Sequence, residues 1–225
     1  MRVSIGWVLV LAFGAVSPGW AQEERFSVMV GETRVGHLVA RTEGIRTQIG
    51  YDYKNNGRGP TLAESIEIGA AGLPLAWTVS GTTTFGSKVD ERFVWGPEKA
   101  VWRDAAGEGE SPTDKPVLYI SQSASPWALG LYARLLLADG DQTLPTLPSG
   151  EVRLTAGERL SVGKGDTQLD VRTYMLSGLD LNPDYVLLDG RSRLFAQASS
   201  GLVVVREGYE AEAPRLRKLA ADLGA

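Results

Sequence analysis

Residues 174–209, YMLSGLDLNPDYVLLDGRSRLFAQASSGLVVVREGY, decide the fold of this chain. They contain three consecutive runs of strand-forming residues separated by turns. Residues 185–188 end at Asp189-Gly190, residues 193–198 return from that turn, and residues 201–205 follow a Ser-Ser-Gly break. An Asp-Gly pair between apolar runs is typical of a β-hairpin. The stretch therefore predicts a β-meander.

The rest of the chain extends this pattern. In residues 45–54, Thr47, Ile49, Tyr51 and Tyr53 alternate with polar residues, which is the period of a half-buried strand. Residues 127–138 are rich in leucine and predict one buried helix, with Ser125 as N-cap and Pro126 at its first position. Residues 105–115 predict a loop, because they are rich in Gly, Pro and charge. The predicted fold is mainly β: an antiparallel meander forming a curved sheet or half-barrel around one helix, with a short C-terminal helix.

The N-terminus is typical of a secretory signal peptide. Arg2 precedes an apolar core at residues 5–16, and small residues lead to a predicted cleavage site after Ala21. The apolar core is shorter than the roughly 20 residues of a spanning helix, so a stable membrane anchor is not expected. The predicted organisation is a signal peptide at residues 1–21, a β-rich accessory domain at 22–209, and a helical linker or tail at 210–225.

Composition excludes several classes of function. The chain has no Cys, which leaves no disulfide or thiolate metal site and suits a bacterial periplasmic or secreted protein. Removal of Arg2 with the signal peptide changes the formal charge from −4 to −5, and no Lys/Arg cluster stands out. Nucleic acid is therefore not an expected partner.

No catalytic or metal-binding constellation emerges, and no cofactor is expected. His37 is the sole histidine, so an imidazole metal site or a Ser-His-Asp triad would lack partners. Ser121 and Ser123 lie outside any Gly-x-Ser-x-Gly motif and indicate a turn or cap. Acidic residues such as Glu91 are expected on exposed strand faces.

Three groups of residues remain as candidate binding positions. Arg58 lies in the turn 55–60, which could hold an anion through backbone N–H groups or could simply reverse the chain. Leu216, Leu219 and Leu223 recur at helical spacing and could contact a partner or pack back on the sheet. The aromatic residues that could line an apolar ligand site, or alternatively fill the core, are Tyr51, Tyr53, Trp95, Trp102 and Trp127.

Several short motifs are distributed along the mature chain. They are Asn55-Asn56-Gly57-Arg58-Gly59-Pro60, Gly72-Leu73-Pro74, Val89-Asp90-Glu91-Arg92-Phe93, Pro126-Trp127, Leu176-Ser177-Gly178-Leu179, Asp189-Gly190-Arg191, Arg193-Leu194-Phe195-Ala196 and Glu207-Gly208-Tyr209. Together they resemble the N-terminal, non-catalytic region of secreted bacterial amidohydrolase-superfamily proteins. The resemblance implies a β-rich leader joined to a metal-dependent barrel hydrolase. The single histidine provides none of the metal ligands of such a barrel.

Two functions follow as expectations. The first is an exported, non-catalytic accessory domain that positions or shields an amidohydrolase catalytic domain. The second is a free-standing periplasmic protein that binds an apolar small molecule or lipid in its curved sheet. On either hypothesis the chain by itself is not expected to be an enzyme.

Overall fold

The first strand of the protein joins two β-meanders into one sheet. The computed structural model describes residues 22–113 and 117–224, so the predicted signal peptide lies outside the described residues. The strands are β1 (Gln22–Val30), β2 (Thr33–Glu43), β3 (Arg46–Tyr53), β4 (Thr61–Ile68), β5 (Pro74–Thr82), β6 (Lys88–Trp95), β7 (Lys99–Asp104), β8 (Gly107–Pro112), β9 (Leu118–Tyr119), β10 (Thr143–Leu147), β11 (Glu151–Val162), β12 (Leu169–Ser177), β13 (Asp184–Asp189), β14 (Leu194–Ala198) and β15 (Val203–Arg206). The helices are α1 (Trp127–Ala138) and α2 (Ala213–Leu223).

All fifteen strands belong to one sheet in the order 8-7-6-5-4-3-2-1-15-14-13-12-11-10-9. β1 pairs with β2 on one side and with β15 on the other, at Phe26↔Arg206 and Ser27↔Val205. Every pairing is antiparallel except that of β9 with β10. The predicted meander of residues 174–209 forms β12 to β15.

The sheet curls so that its two ends meet. Tyr119 of β9, the last strand in the order, stacks on Phe93 of β6, the third strand from the opposite end, with ring centroids 4.3 Å apart. A flat sheet would hold these residues far apart, because neighbouring strands are spaced by about 4.8 Å. The contact confirms the predicted curved sheet.

Helix α1 fills the concave side of this sheet. It contacts β11 to β14, and on its other side the ring of Tyr132 lies 6.1 Å from that of Trp77 in β5. The helix approaches β14 closely at Gly130, where a Cβ atom would lie 2.9 Å from Cβ of Leu194. The prediction of one helix enclosed by the sheet is therefore confirmed.

Two local predictions were wrong. Ser125 does not cap α1: Pro126 occupies the cap position, and the Ser125 hydroxyl makes no hydrogen bond. The Ser125 backbone N–H instead donates a hydrogen bond to the buried side chain of Glu64 in β4. Residues 107–112 form β8, which pairs along β7 from Asp104↔Gly107 to Lys99↔Pro112, because backbone pairing tolerates the Gly-rich sequence at a sheet edge.

Helix α2 covers the outer face of the sheet over β14 and β15. Ala213, Leu216 and Ala220 form a second core with the outward side chains of β13 to β15. The Tyr185 hydroxyl donates a hydrogen bond to the carbonyl oxygen of Leu223 over 2.8 Å. None of the helices within residues 22–113 and 117–224 has the length and apolar character needed to cross a bilayer.

Candidate functional site

Two buried glutamates of the sheet hold the segment that leads into α1. This segment, residues 120–126, is named the bridge because it joins β9 to the helix. Glu91 of β6 is 3 % exposed and accepts hydrogen bonds from the Tyr119 hydroxyl at 2.8 Å and from the backbone N–H groups of Gln122 at 3.1 Å and Ser123 at 2.9 Å. The Glu91 side chain therefore accepts hydrogen bonds from three donors, two in the bridge and one in the adjoining strand β9.

Glu64 of β4 holds the other end of the bridge. Its carboxylate accepts the Ser125 backbone N–H at 2.7 Å and the Trp77 indole N–H at 3.1 Å. Burial raises the pKa of Glu64 above its usual range, and the nearby charge of Glu91 adds to the rise, against the opposing effect of these hydrogen bonds. The bridge is thus tied to β6 and β4 through hydrogen bonds to two buried glutamate side chains.

A cavity of 330 Å³ opens between the bridge, the first turns of α1 and the segment that joins β12 to β13. Ile120, Pro126, Leu129 and Leu179 form apolar parts of its wall. The polar groups come from Ser121 and Ser125 of the bridge, Asp180 of the connection between β12 and β13, Asp184 at the start of β13, and Gln197 of β14. The volume lies at the lower end of the range for small-molecule sites, about 300–1,000 Å³.

Several polar groups in this wall lack partners. The Oγ atoms of Ser121 and Ser125 are buried and make no hydrogen bond within the described residues, although that of Ser125 is near enough to the Glu64 carboxylate to lower its pKa. Gln197 is 8 % exposed, and its side-chain amide forms no hydrogen bond within the described residues. Buried polar groups in proteins are usually paired, so their convergence on a cavity indicates a place for a ligand or water.

Asp184 is the least satisfied charged group of the cavity. Among the described residues its carboxylate has neither a cation nor a hydrogen-bond donor. Burial raises the pKa of Asp184, and the negative charge of Asp180 raises it further. A perturbed carboxylate in a cleft is a typical mark of a functional position.

The cavity does not assemble a nucleophile. A reactive serine needs a base within hydrogen-bond reach, and neither serine hydroxyl has such a partner. The Tyr132 hydroxyl, which accepts the Ser121 backbone N–H at 3.1 Å, has its pKa raised by burial and is neutral. In residues 22–113 and 117–224 no group of three or more His, Cys, Asp or Glu could hold a metal ion. The polar groups that the cavity presents are therefore serine hydroxyls, a glutamine amide and aspartate carboxylates.

The five aromatic residues predicted to line a ligand site lie in or against the concave core. Tyr51 and Trp127 are buried, at 6 % and 2 % exposure, whereas Tyr53, Trp95 and Trp102 are partly buried. The Trp127 indole N–H donates to Glu24 at 2.9 Å, which ties α1 to β1. None of the five borders the cavity at the bridge.

Arg58 lies at a different end of the sheet. It is exposed in the predicted turn, which is closed by backbone hydrogen bonds between Asn55 and Arg58. A depression of 610 Å³ there is lined by Tyr53, Phe85 and Leu202 together with Arg58 itself. Its guanidinium group forms no ion pair with any described residue, so it is free for solvent or an anion.

The predicted partner-contact residues divide between core and surface. All three belong to α2: Leu216 is fully buried against the sheet, Leu219 is partly buried, and Leu223 is 47 % exposed. His37 is exposed on β2, opposite Ser27 of β1 and Asp52 of β3, and its imidazole makes no hydrogen bond to either residue.

Sequence reasoning missed the two glutamates. Glu91 was expected on an exposed face, but it is buried because the bridge covers that part of β6. A signal was present: Glu64 is in phase with buried Leu62 and Ile66, just as Glu91 is in phase with Val89 and Phe93. An acidic residue at a core-facing position predicts a buried hydrogen-bonding role.

Comparisons with known proteins identify no family. No family model matches the chain, and no curated protein matches it. Among solved structures, the chain is similar to a β-barrel-like protein of the domain of unknown function DUF1849 from Brucella abortus, at 9 % identity and a TM-score of 0.46, covering 83 % of this chain and 95 % of that one. A DUF1089 family protein from Pseudomonas aeruginosa is similar at 13 % identity and a TM-score of 0.35, covering 84 % and 95 % of the two chains.

Proposed function

We propose that this protein is an exported, non-catalytic binding protein and that its ligand site is the cavity beside the bridge. One observation carries the proposal: two buried serine hydroxyls of the bridge, the Gln197 amide and the half-buried Asp184 carboxylate line one cavity and have no partners within the described protein. Leaving a buried polar group unpaired costs about 1–3 kcal/mol. A bound molecule with matching donors and acceptors would remove that cost.

The same geometry argues against a ligand held in the centre of the curved sheet. Helix α1 occupies that space, and the aromatic residues there pack on the helix and on one another. We therefore place the proposed ligand at the N-terminal end of the helix. The mixed wall, apolar at Leu129 and Leu179 and polar at Gln197, suits a small amphipathic molecule better than a long lipid chain.

A cavity-filling variant tests this function. Ala124 is a partly buried residue of the bridge that lines the cavity, so Ala124→Phe should place a ring inside it. The purified protein and the variant would be screened by thermal shift against a library of small metabolites, and hits would be measured by isothermal titration calorimetry. The matched control is Ala221→Phe on the exposed side of α2.

We expect hits that bind the native protein and the Ala221→Phe variant with equal affinity and lose at least tenfold in affinity with Ala124→Phe. Hits that bind all three proteins equally would place the site elsewhere. A library without any hit would contradict the proposed function.

A second proposal keeps the accessory-domain hypothesis, in which an amidohydrolase catalytic domain is the partner. It is supported by the exposed Leu223 at the end of α2 and by the sequence resemblance alone. Co-expression with such a domain and a pull-down tests it, with Leu223→Lys expected to abolish capture and Lys218→Glu, on a more exposed side of the helix, expected to retain it. Failure of the native protein to capture the domain would contradict the hypothesis.

A further inference from the structure

The charges around the cavity all have the same sign. Asp180 and Asp184 are the acidic residues of its wall, and no Lys, Arg or His is found among the residues that line it. The remaining polar groups are neutral hydroxyls and amides, including Gln122 and Gln197. The cavity is therefore an acidic site in which no described cation compensates the carboxylates.

The opposite end of β13 shows how this protein treats a buried carboxylate that is purely structural. The side chain of Asp189 is 2 % exposed, and it lies 2.9 Å from the guanidinium of Arg193 and 3.0 Å from that of Arg206. It also accepts the backbone N–H groups of Arg191 and Arg193, at 2.9 and 3.0 Å. Asp184, five residues earlier on the same strand, has none of these partners among the described residues.

A second observation points to a ligand beside Asp184: other polar side chains of the cavity wall also lack hydrogen-bond partners. Gln197 lies on β14 opposite Val186 of β13, two residues beyond Asp184 and therefore on the same face of the sheet. Gln197 is 8 % exposed, its amide makes no hydrogen bond within the described residues, and it lines the cavity together with the buried Oγ of Ser125. A carboxylate, an amide oxygen and a hydroxyl oxygen are three hydrogen-bond acceptors.

We propose that the cavity recognises a small molecule that carries a protonated primary amine on an apolar body, an inference that rests on the proposed function. An ammonium group has three N–H donors and no acceptor, which matches the three acceptors. Asp184 supplies the opposite charge, and the apolar wall at Ile120, Leu129 and Leu179 covers the body of the ligand. An anionic ligand would be repelled by both aspartates.

The experiment compares three probes of the same shape. Benzylamine, benzyl alcohol and benzoate would be titrated calorimetrically into the native protein, Asp184→Asn and Asp141→Asn. The last is the matched control, because Asp141 is an exposed carboxylate beyond the opposite end of α1. Ala124→Phe reports whether any binding occurs in the cavity.

We expect benzylamine to bind more tightly than benzyl alcohol, and benzoate not to bind. Asp184→Asn should weaken benzylamine about tenfold or more, the effect of losing one hydrogen bond to a charged group, and should leave benzyl alcohol within about twofold. Asp141→Asn should change neither. Ala124→Phe should abolish benzylamine binding.

Two results would overturn the inference in different ways. If the alcohol or benzoate binds in the cavity as tightly as the amine, and Asp184→Asn has no effect, the site binds ligands but does not select ammonium. If no probe and no member of the metabolite library binds in a manner sensitive to Ala124→Phe, the proposed function fails together with the inference.

Discussion

The two arms of the sheet, one on either side of β1, are both meanders, but they differ in how many of their faces are buried. The strands β13–β15, called the covered strands, are buried on both faces, because α1 lies on the concave side and α2 on the outer side. The strands β2–β7, called the open strands, bury the concave face and expose the outer one, as in the alternation of β3 and β6. Burial on two faces makes a strand read as a continuous apolar run, and burial on one face makes it alternate. The cavity lies where the bridge passes from the open strands to the covered ones.

The largest expected effect separates the two arms by core truncation. Phe195 of β14 is fully buried in the outer core, so Phe195→Ala should lower the free energy of unfolding by about 3–5 kcal/mol. Val101 on the outer face of β7 is 37 % exposed, so Val101→Ala should change it by no more than about 0.5 kcal/mol. Urea unfolding measures both. Equal losses would show that the outer face of the open strands is also a core.

The next effect concerns the bridge. Glu91→Ala leaves the hydroxyl of Tyr119 and the N–H groups of Gln122 and Ser123 without their acceptor, and should cost about 3 kcal/mol. Asp90→Asn, at the exposed neighbouring position, should have a much smaller effect on the free energy of unfolding, because its ion pair with Arg103 is at the surface and is screened by solvent. Urea unfolding of both variants measures this difference. A small effect of Glu91→Ala would mean that the bridge is not held by the open strands.

A smaller effect tests the structural carboxylate of the covered strands. Burial opposes ionisation of Asp189, but the N–H groups of Arg193 and Arg191 and the two guanidinium groups outweigh it and lower its pKa below 3.8. Asp189 therefore stabilises the fold above pH 3.8, and this contribution is lost as the pH falls through its folded-state pKa. Asp189→Asn should cost about 2 kcal/mol at pH 7 and progressively less in acid. A cost independent of pH would contradict this assignment.

The smallest expected effect concerns Glu64 in the open strands. Its contribution to the free energy of unfolding changes with pH in the direction opposite to that of Asp189. The pKa of Glu64 is raised above 4.5, so the folded protein holds this proton more tightly than the unfolded chain does. The corresponding stabilisation is fully present below pH 4.5 and is lost as the pH rises through the folded-state pKa. Unfolding measured from pH 4 to 8 should therefore show the native protein losing stability relative to Glu64→Gln. A difference that grows in favour of the native protein with rising pH would contradict the raised pKa.

Much of the strand pattern could be predicted from local sequence. The Asp189-Gly190 turn depends on residues adjacent in sequence, and the alternation around Ile49 and Tyr51 repeats every two residues. Both signals can therefore be recognised within a short window of sequence. The leucine-rich helix was predicted for the same reason. β8 was missed because strand formation there depends on pairing with β7 and not on residue preference.

The candidate site could not be predicted in this way. Its groups come from the bridge, from residues 179–184 and from Gln197, and only the curl of the sheet brings them together. Single positions gave no hint that Asp184 lacks a partner while Asp189 has two arginines, because both are acidic residues at the ends of one strand.

The sequence by itself determined the class of fold, the meander of residues 174–209 and the single enclosed helix, because periodicity and turn chemistry act over a few residues. Only the tertiary structure decided that β1 joins the two arms, that Glu64 and Glu91 face inwards beneath the bridge, and that a cavity forms beside it. The contacts of Glu64 and Glu91 with the bridge and its flank join residues 28 or more positions apart, and the curvature of the sheet sets which of them meet.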